Sequence, residues 1–335
     1  MCGIVGYVGK RDAVGILLDG LGRLEYRGYD SAGLVVQTDS ALEVRRSVGK
    51  IVRLREVIEA ATLSGTTALG HTRWATHGRP SDANAHPHVD CGGRVAVVHN
   101  GILENYLELK MKLEAEGHTF RSETDTEVMA HLVERELPRS GSLAAAVKAA
   151  LRQIRGAYAF CVLSVDEPGR IVAAKRGGGA VVLGLGDGET FVASDIPALI
   201  PHTRRVVILE DDEVAEIGRG GLTISTLEGV TVKRGPSVIE WDAAMAQKGG
   251  YDHFMLQEIY EQPEAVAATF RGRVNAETGE VQIPEANLAS GLVSRLRRVV
   301  LVSCGTSYHA GLVAKLMIER LTGLSAEVDL ASEFR

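Results

Sequence analysis

The sequence is poor in cysteine, with 4 in all. They stand far apart, at Cys2, Cys91, Cys161 and Cys304. No CxxC pair occurs, and no cysteine–histidine cluster has metal-ligand spacing along the chain. Neither a disulfide framework nor a metal site is therefore expected, and no cofactor is expected either. Scattered reduced thiols fit a cytoplasmic protein. An excess of basic residues is also lacking. Lys and Arg total 37 against 43 Asp and Glu, a net charge of −6, which argues against nucleic acid as a partner. No apolar run is long enough to span a bilayer. No basic segment followed by an apolar one opens the chain, so no secretory signal peptide is expected. Internal repeats and low-complexity tracts are absent.

What is present is an ordinary globular composition, 45% hydrophobic and 24% charged over 335 residues, enough for about two domains. An apolar strand is expected at Ile4–Val8. Val14, Ile16, Leu17, Leu18, Leu21 and Leu24 recur at helical spacing within Asp12–Glu25. Strands are expected at Leu34–Gln37 and Thr66–Thr72, with a helix at Ile51–Ala61. Arg94–Val98 is a strand ending in His99-Asn100-Gly101, where Asn-Gly reads as a turn. Helices follow at Leu103–Glu116, Thr126–Leu137 and Ser142–Ile154, and Thr124 or Asp125 with Glu127 reads as a helix N-cap. From Ala157 to Lys233, short β-rich runs without helices mean antiparallel pairing. Together these give a layered α/β sandwich.

Gly235-Pro236 and the polar stretch at Ala243–Gly250 mark a domain boundary. Beyond it, an amphipathic helix is expected at Tyr251–Glu261. Arg297–Ser303 is a continuous apolar strand of the parallel type. It leads through Cys304-Gly305-Thr306-Ser307 into a helix from about Tyr308 to Leu321. Open N–H groups at such a helix start suit a phosphate.

The chemistry gathers at the N-terminus. Removal of Met1 would leave Cys2 with a free α-amine and a thiol on one residue. The amine, with an ordinary pKa of about 7.7–8.0, can act as base for a thiol of about 8.5. Such a nucleophile attacking a side-chain amide needs oxyanion donors, which Asn100 and the Gly101 N–H can supply. Selecting an α-amino acid needs a guanidinium for the carboxylate, as Arg73 offers, and a carboxylate for the ammonium, as Asp125 offers. His71-Thr72-Arg73-Trp74-Ala75-Thr76-His77-Gly78 reads as a binding loop.

The terminal Cys2-Gly3-Ile4-Val5-Gly6 resembles the class II glutamine amidotransferases, which are N-terminal-nucleophile hydrolases. So do RLEYRGYDSAG (Arg23–Gly33), HTRWATHG (His71–Gly78), NAHPH (Asn84–His88), HNGILEN (His99–Asn105) and SETDTE (Ser122–Glu127). EIYEQP (Glu258–Pro263) and SCGTSYHAG (Ser303–Gly311) are similar to the start of a sugar isomerase domain. The resemblance implies a four-layer αββα sandwich with antiparallel sheets, followed by the beginning of a parallel-sheet sugar isomerase domain. It implies an amidotransferase domain at 2–243, a linker at 244–251 and part of the isomerase domain at 252–335.

By residue, the resemblance implies Cys2 as nucleophile with its own amine as base, and Asn100 and Gly101 at the oxyanion. Arg73, with Thr76 and His77, would take the glutamine carboxylate, and Asp125 the ammonium. Arg27 and Gly28 would line the wall, Trp74 would gate ammonia, and Thr306 and Ser307 would hold a sugar phosphate. The substrates implied are L-glutamine and, in a full-length form, D-fructose 6-phosphate. The product would be D-glucosamine 6-phosphate, and the longer protein a homodimer through its isomerase domain. The chain stops short of the family's second half, so it is expected to be a fragment that retains the glutaminase reaction. Residues 2–243 are expected to fold alone, and 252–335 are not. His86, His88 and His99 are expected to be supporting residues. Rival readings are another class II amidotransferase, or a module that binds glutamine or a sugar phosphate without turnover.

Overall fold

A computed structural model describes residues 2–38, 40–60, 63–74, 78–177, 179–240 and 295–334, with a few isolated positions between 255 and 281. The chain divides into two compact units, Met1–Gly250 and Tyr251–Arg335. In the first, the strands are β1 (Gly3–Val8), β2 (Ser31–Gln37), β3 (Leu42–Val48), β4 (Thr67–Arg73), β5 (His88–Val89), β6 (Val95–Leu103), β7 (Gly156–Ser164), β8 (Arg170–Arg176), β9 (Val182–Leu185), β10 (Thr190–Ala193), β11 (Arg205–Ile208), β12 (Glu213–Gly218), β13 (Gly221–Thr226), β14 (Thr231–Val232) and β15 (Ser237–Val238). The helices are α1 (Ala13–Arg23), α2 (Ile51–Glu59), α3 (Tyr106–Ala115), α4 (Glu127–Ser140) and α5 (Leu143–Leu151).

Two sheets result. One runs β15-β11-β9-β10-β1-β4-β2-β3 and the other β14-β13-β12-β8-β7-β6-β5. The pairs of known register are antiparallel in both. Alternation along the strands builds three cores. Val5 and Tyr7 face α1 and α2, against Leu17, Leu21 and Leu54. Ile4 and Val8 point the other way and meet Val98, Cys161 and Ile171 of the second sheet. Val97, Phe160 and Val162 of that sheet face Met129, Leu132 and Val147 of α4 and α5. The layers are therefore helix, sheet, sheet, helix: the αββα sandwich. Each fully buried Leu or Ile contributes about 1.5–3 kcal/mol. With both faces of β1 buried and a strand on each side, the Cys2 end of the chain is held firmly.

Two local expectations fail. Asn100-Gly101 is not a turn but the interior of β6, where Asn100 pairs with Ala159 and Gly101 with Tyr158. Gly101 has φ +139°, and a Cβ there would stand 2.1 Å from the Ala157 carbonyl oxygen. Glycine is thus needed for a bend within a strand, which the dipeptide alone does not distinguish from a turn. The N-cap reading also fails. α4 begins at Glu127 with Thr126 at its cap position, and no side chain caps it. Asp125 instead accepts from the Leu103 N–H at 2.8 Å. Glu127 turns back to accept from the Arg121 and Ser122 N–H groups at 2.8 and 2.7 Å.

The second unit contains β16 (Arg298–Ser303), α6 (Gly305–Thr322) and β17 (Ser325–Leu330). β16 and β17 are parallel, from Arg298↔Ser325 to Ser303↔Leu330, so this is one strand–helix–strand crossover. Thr306 and Ser307 lie in the first turn of α6, not in a turn ahead of it. The expected linker at 244–251 and most of the expected helix at Tyr251–Glu261 lie outside the described residues.

Candidate active site

β1 and β4 pair with Gly3 opposite Thr72, so Cys2 comes beside Arg73 and Trp74. The Trp74 N–H donates to the Cys2 Sγ at 3.1 Å. Burial pushes the Cys2 thiol up from its ordinary range, with the Trp74 N–H, the nearby terminal amine and Arg73 acting the other way. A thiol held protonated in this way needs a base before it can attack. Gly28 packs against the same segment; a Cβ there would lie 2.7 Å from the Arg73 carbonyl carbon. Arg27 is tethered by an ion pair to Asp195 and donates to the Tyr26 hydroxyl at 3.2 Å. Trp74 is exposed at 48% and meets Tyr29 edge-on at 5.4 Å.

The second sheet supplies Asn100 and Gly101 at the far end of β6. The Asn100 Nδ2 donates to the Cys2 carbonyl at 3.0 Å. Its Oδ1 lies 3.0 Å from His71 Nε2, which also lies 3.0 Å from the His99 carbonyl. Both partners of that nitrogen are acceptors, so His71 carries its proton on Nε2. This fixes the Asn100 amide with its nitrogen turned to Cys2.

Behind Asp125, Thr126 Oγ1 lies 2.9 Å from both His86 Nε2 and His99 Nδ1. His88 Nε2 lies 3.0 Å from the Thr124 hydroxyl. His86 stacks on His71 at 4.2 Å, and His99 on Phe160 at 4.2 Å. Burial depresses these imidazoles, His71 and His88 to about 3 and His99 to about 4. They are neutral near pH 7, so the wall behind Asp125 adds no cation that would compete with a substrate ammonium.

These residues surround a cavity of about 550 Å³, lined by Cys2, Arg27, Arg73, Trp74, Asn100, Gly101 and Asp125 among others. That volume suits a small organic ligand. Arg73 is buried at 3% exposure, and its guanidinium donates to the Gly78 carbonyl at 3.0 Å. Burial lowers its pKa. A guanidinium and the Asp125 carboxylate on one wall match the two charged ends of an α-amino acid. Gly28 stands just behind this wall, against the Arg73 backbone.

Thr76 and His77 lie outside the described residues. Thr306 and Ser307 belong to the second unit. Sequence reasoning missed Ile102, Glu104, Thr126, Ala157 and Gly179, which also line the cavity. Thr126 stands within SETDTE and could have been read from it. Ala157 and Gly179 carry no chemical signal and enter only through the strand pairing.

The fold, with the Cys2 thiol at a cavity beside two antiparallel sheets, is a four-layer αββα sandwich. A glutamine amidotransferase domain family matches residues 71–201. The chain thus contains a region similar to the glutamine amidotransferase domain. Over its whole length it is homologous to glutamine–fructose-6-phosphate aminotransferases (isomerizing). It is 50% identical to that of Symbiobacterium thermophilum over 335 residues, all of this chain and 54% of the relative. It is 51% identical over 338 residues to that of Thermus thermophilus, again all of this chain and 54% of the relative. The chain thus spans about half the length of the curated relatives it matches. Among solved structures, glutamine phosphoribosylpyrophosphate amidotransferase from B. subtilis, complexed with ADP and GMP, superposes with a TM-score of 0.58 at 23% identity, covering 98% of this chain and 65% of that one. A structure described as the allosteric regulatory enzyme of purine biosynthesis does so at 0.62 and 22%, covering 98% and 80%. Both likenesses bear on the fold alone. Among the described residues no helix is long and apolar enough to cross a membrane.

Proposed function

We propose that this chain hydrolyses L-glutamine to glutamate and ammonia. In a longer protein the ammonia passes to D-fructose 6-phosphate, giving D-glucosamine 6-phosphate. The observation that carries the reading is one cavity lined by Cys2, Arg73, Asn100, Gly101 and Asp125. The names of the homologous enzymes support the acceptor.

Removal of Met1 frees the Cys2 α-amine. The amine takes the thiol proton, and the Trp74 N–H hydrogen bond favours the resulting thiolate. Sγ attacks the glutamine side-chain carbonyl, and the developing oxyanion is met by the Asn100 Nδ2 and the Gly101 N–H. The amide C–N bond breaks as the α-ammonium returns its proton to the leaving nitrogen, releasing ammonia. Water then cleaves the thioester to glutamate, with the same amine as base. Arg73 holds the substrate carboxylate and Asp125 its ammonium. Thr76 and His77 assist Arg73, Arg27 and Gly28 shape the wall, and Trp74 gates ammonia.

Residues 2–243 form the glutaminase domain, 244–251 a linker and 252–335 the start of a sugar isomerase domain. In that domain Thr306 and Ser307 contact the sugar phosphate through the start of α6. The longer protein is a cytoplasmic homodimer through the completed isomerase domain.

The test pairs intact mass with glutamate release, using Cys2→Ala as control. A mass lacking methionine, with turnover that the substitution removes, supports the reading. A mature terminus without turnover, and no rise in Tm with glutamine, overturns it.

A further inference from the structure

Apart from the residues that line the cavity, four side chains converge that the reaction does not use. Cys91 comes from the turn after β5, His118 from the loop after α3, and His131 and Glu134 from one face of α4, three residues apart. Their ligand atoms all lie within 4.8 Å of one another. Cys91 Sγ is 3.7 Å from His118 Nδ1 and 3.6 Å from His131 Nδ1. Glu134 Oε2 is 2.8 Å from His118 Nδ1 and 3.1 Å from His131 Nδ1. We propose that these four residues form a closed tetrahedral zinc site that staples three segments of the amidotransferase domain.

The spacing fits the ion. Zinc–sulfur bonds of about 2.3 Å and zinc–nitrogen bonds of about 2.0–2.1 Å put tetrahedral S and N donors about 3.6 Å apart. The two sulfur–nitrogen separations already have that value. The carboxylate oxygen and the imidazoles stand at hydrogen-bond distance and need to part by about 0.3–0.6 Å to span an ion in the same geometry. Glu134 is able to move, since its side chain is 24% exposed. His118, at 14%, marks the side from which an ion enters. A thiolate, two imidazoles and one carboxylate select a borderline-soft ion over calcium or magnesium, which take oxygen donors. All four positions come from protein, so the site has a structural character and no open coordination position.

The surroundings supply a second argument. The His131 side chain is 1% exposed, and its Nε2 faces the Glu127 carboxylate at 3.6 Å. Among the described residues that nitrogen has no hydrogen-bond partner. A bare lone pair facing a carboxylate is unfavourable, whereas an Nε2–H there is drawn to it. Placing the proton on Nε2 leaves the Nδ1 lone pair facing Glu134 and Cys91, where a cation belongs. A metal-bound imidazole whose outer N–H points at a carboxylate is the usual arrangement at such sites. The Thr119 N–H, 3.4 Å from Cys91 Sγ, would further stabilise a thiolate. Binding exchanges the thiol proton for the ion. Glu127 also holds the Arg121 and Ser122 N–H groups, so the staple stiffens the segment that carries Asp125.

The whole chain, in a Cys2→Ala background that removes the thiol of the cavity, is stripped with chelator. It is then titrated with zinc and, separately, with cobalt(II). Expected are about one zinc per chain and a rise in Tm of roughly 5–10 °C at a hundredfold excess over Kd. Cobalt should give the intense visible bands of a tetrahedral site and a near-ultraviolet thiolate charge-transfer band. Cys91→Ser should lose that band, and His118→Gln should weaken zinc binding by tenfold or more. His118→Gln stands on the exposed side and keeps the test open should Cys91→Ser fail to fold. Zinc should also shield Cys91 from alkylation, read by peptide mass. No zinc bound by the folded, stripped protein would overturn the proposal, leaving a metal-free hydrogen-bond cluster. So would a cobalt spectrum that Cys91→Ser leaves unchanged.

Discussion

Cys2 and Cys91 belong to one unit, and their surroundings differ in kind. Cys2 has a cavity in front of it, one N–H donor on its sulfur and no imidazole in hydrogen-bond reach among the described residues. Cys91 has two imidazoles close to its sulfur and a carboxylate beyond them. A nucleophile must keep its coordination open for substrate and borrow its base from nearby, in the proposed reaction its own amine. A thiol ringed by fixed donors has no room for a substrate, and its chemistry is structural. The histidines follow the same division. Those behind the cavity are buried and neutral. His131, although burial opposes it, is raised by Glu127 and Glu134.

The sharpest break of this comparison is Cys2→Ala. Glutamate release should fall by more than about a thousandfold, as for loss of a nucleophile elsewhere, while glutamine still raises the Tm. Retained turnover would sink the assignment of Cys2. Asn100→Ala should lower kcat about a hundred- to a thousandfold with KM little changed. An equal rate would remove Asn100 from the oxyanion site. Asp125→Asn should cost about thirtyfold or more in kcat/KM, because a buried charge loses its partner. That loss should vanish for a substrate analogue without the α-amine, and a loss of the same size for both would mean a fold defect.

The neutral histidines give a pH signature. Folded His71 and His99 titrate at about 3 and 4, against an ordinary value of about 6.5 in the unfolded chain. Between those values the unfolded state binds more protons, so stability rises with pH and is lost on acidification below about 6.5. Facing His71 are His86, His99, Asn100 and Arg73, and facing His99 is Asp125; the hydrogen bonds of His71 to Asn100 and the His99 carbonyl, and the charge of Asp125 on His99, oppose the trend, and burial outweighs them. The loss at pH 5 should be about 2 kcal/mol for each imidazole, measured from urea midpoints at pH 7.5 and 5. A stability that does not fall over that range would show the imidazoles to be charged or hydrated. The smallest effect is expected from Cys91→Ser. It should leave glutamate release within about twofold, since truncations away from reacting atoms act mainly on stability. A loss as large as that of Cys2→Ala would erase the distinction between the two thiols.

Local chemistry was legible early where one segment carries it. The strand at β1, the helix at α1, the parallel strand at β16, and the grouping of Cys2 with Arg73, Asn100 and Asp125 all follow from pattern and residue type. Reading Asn-Gly as a turn failed because a bent strand and a hairpin use the same dipeptide, and only the partner β7 distinguishes them. β3 was missed because an edge strand alternates Glu43, Arg45 and Ser47 with modest apolar residues. The N-cap reading failed because Asp125 and Glu127 satisfy backbone N–H groups far from α4's own first turn.

Residue types and local periodicity therefore determined most of the elements and singled out Cys2, Arg73 and Asp125, since periodicity and side-chain chemistry are properties of short segments. The division of β7 to β13 between two sheets rests on which strands meet across long separations, and no local pattern encodes that. The same holds for the neutral state of the buried histidines, which depends on the layers that exclude water. It holds for the meeting of Cys91 with His118, His131 and Glu134 as well, where a turn, a loop and a helix must first pack before four ordinary side chains share one point.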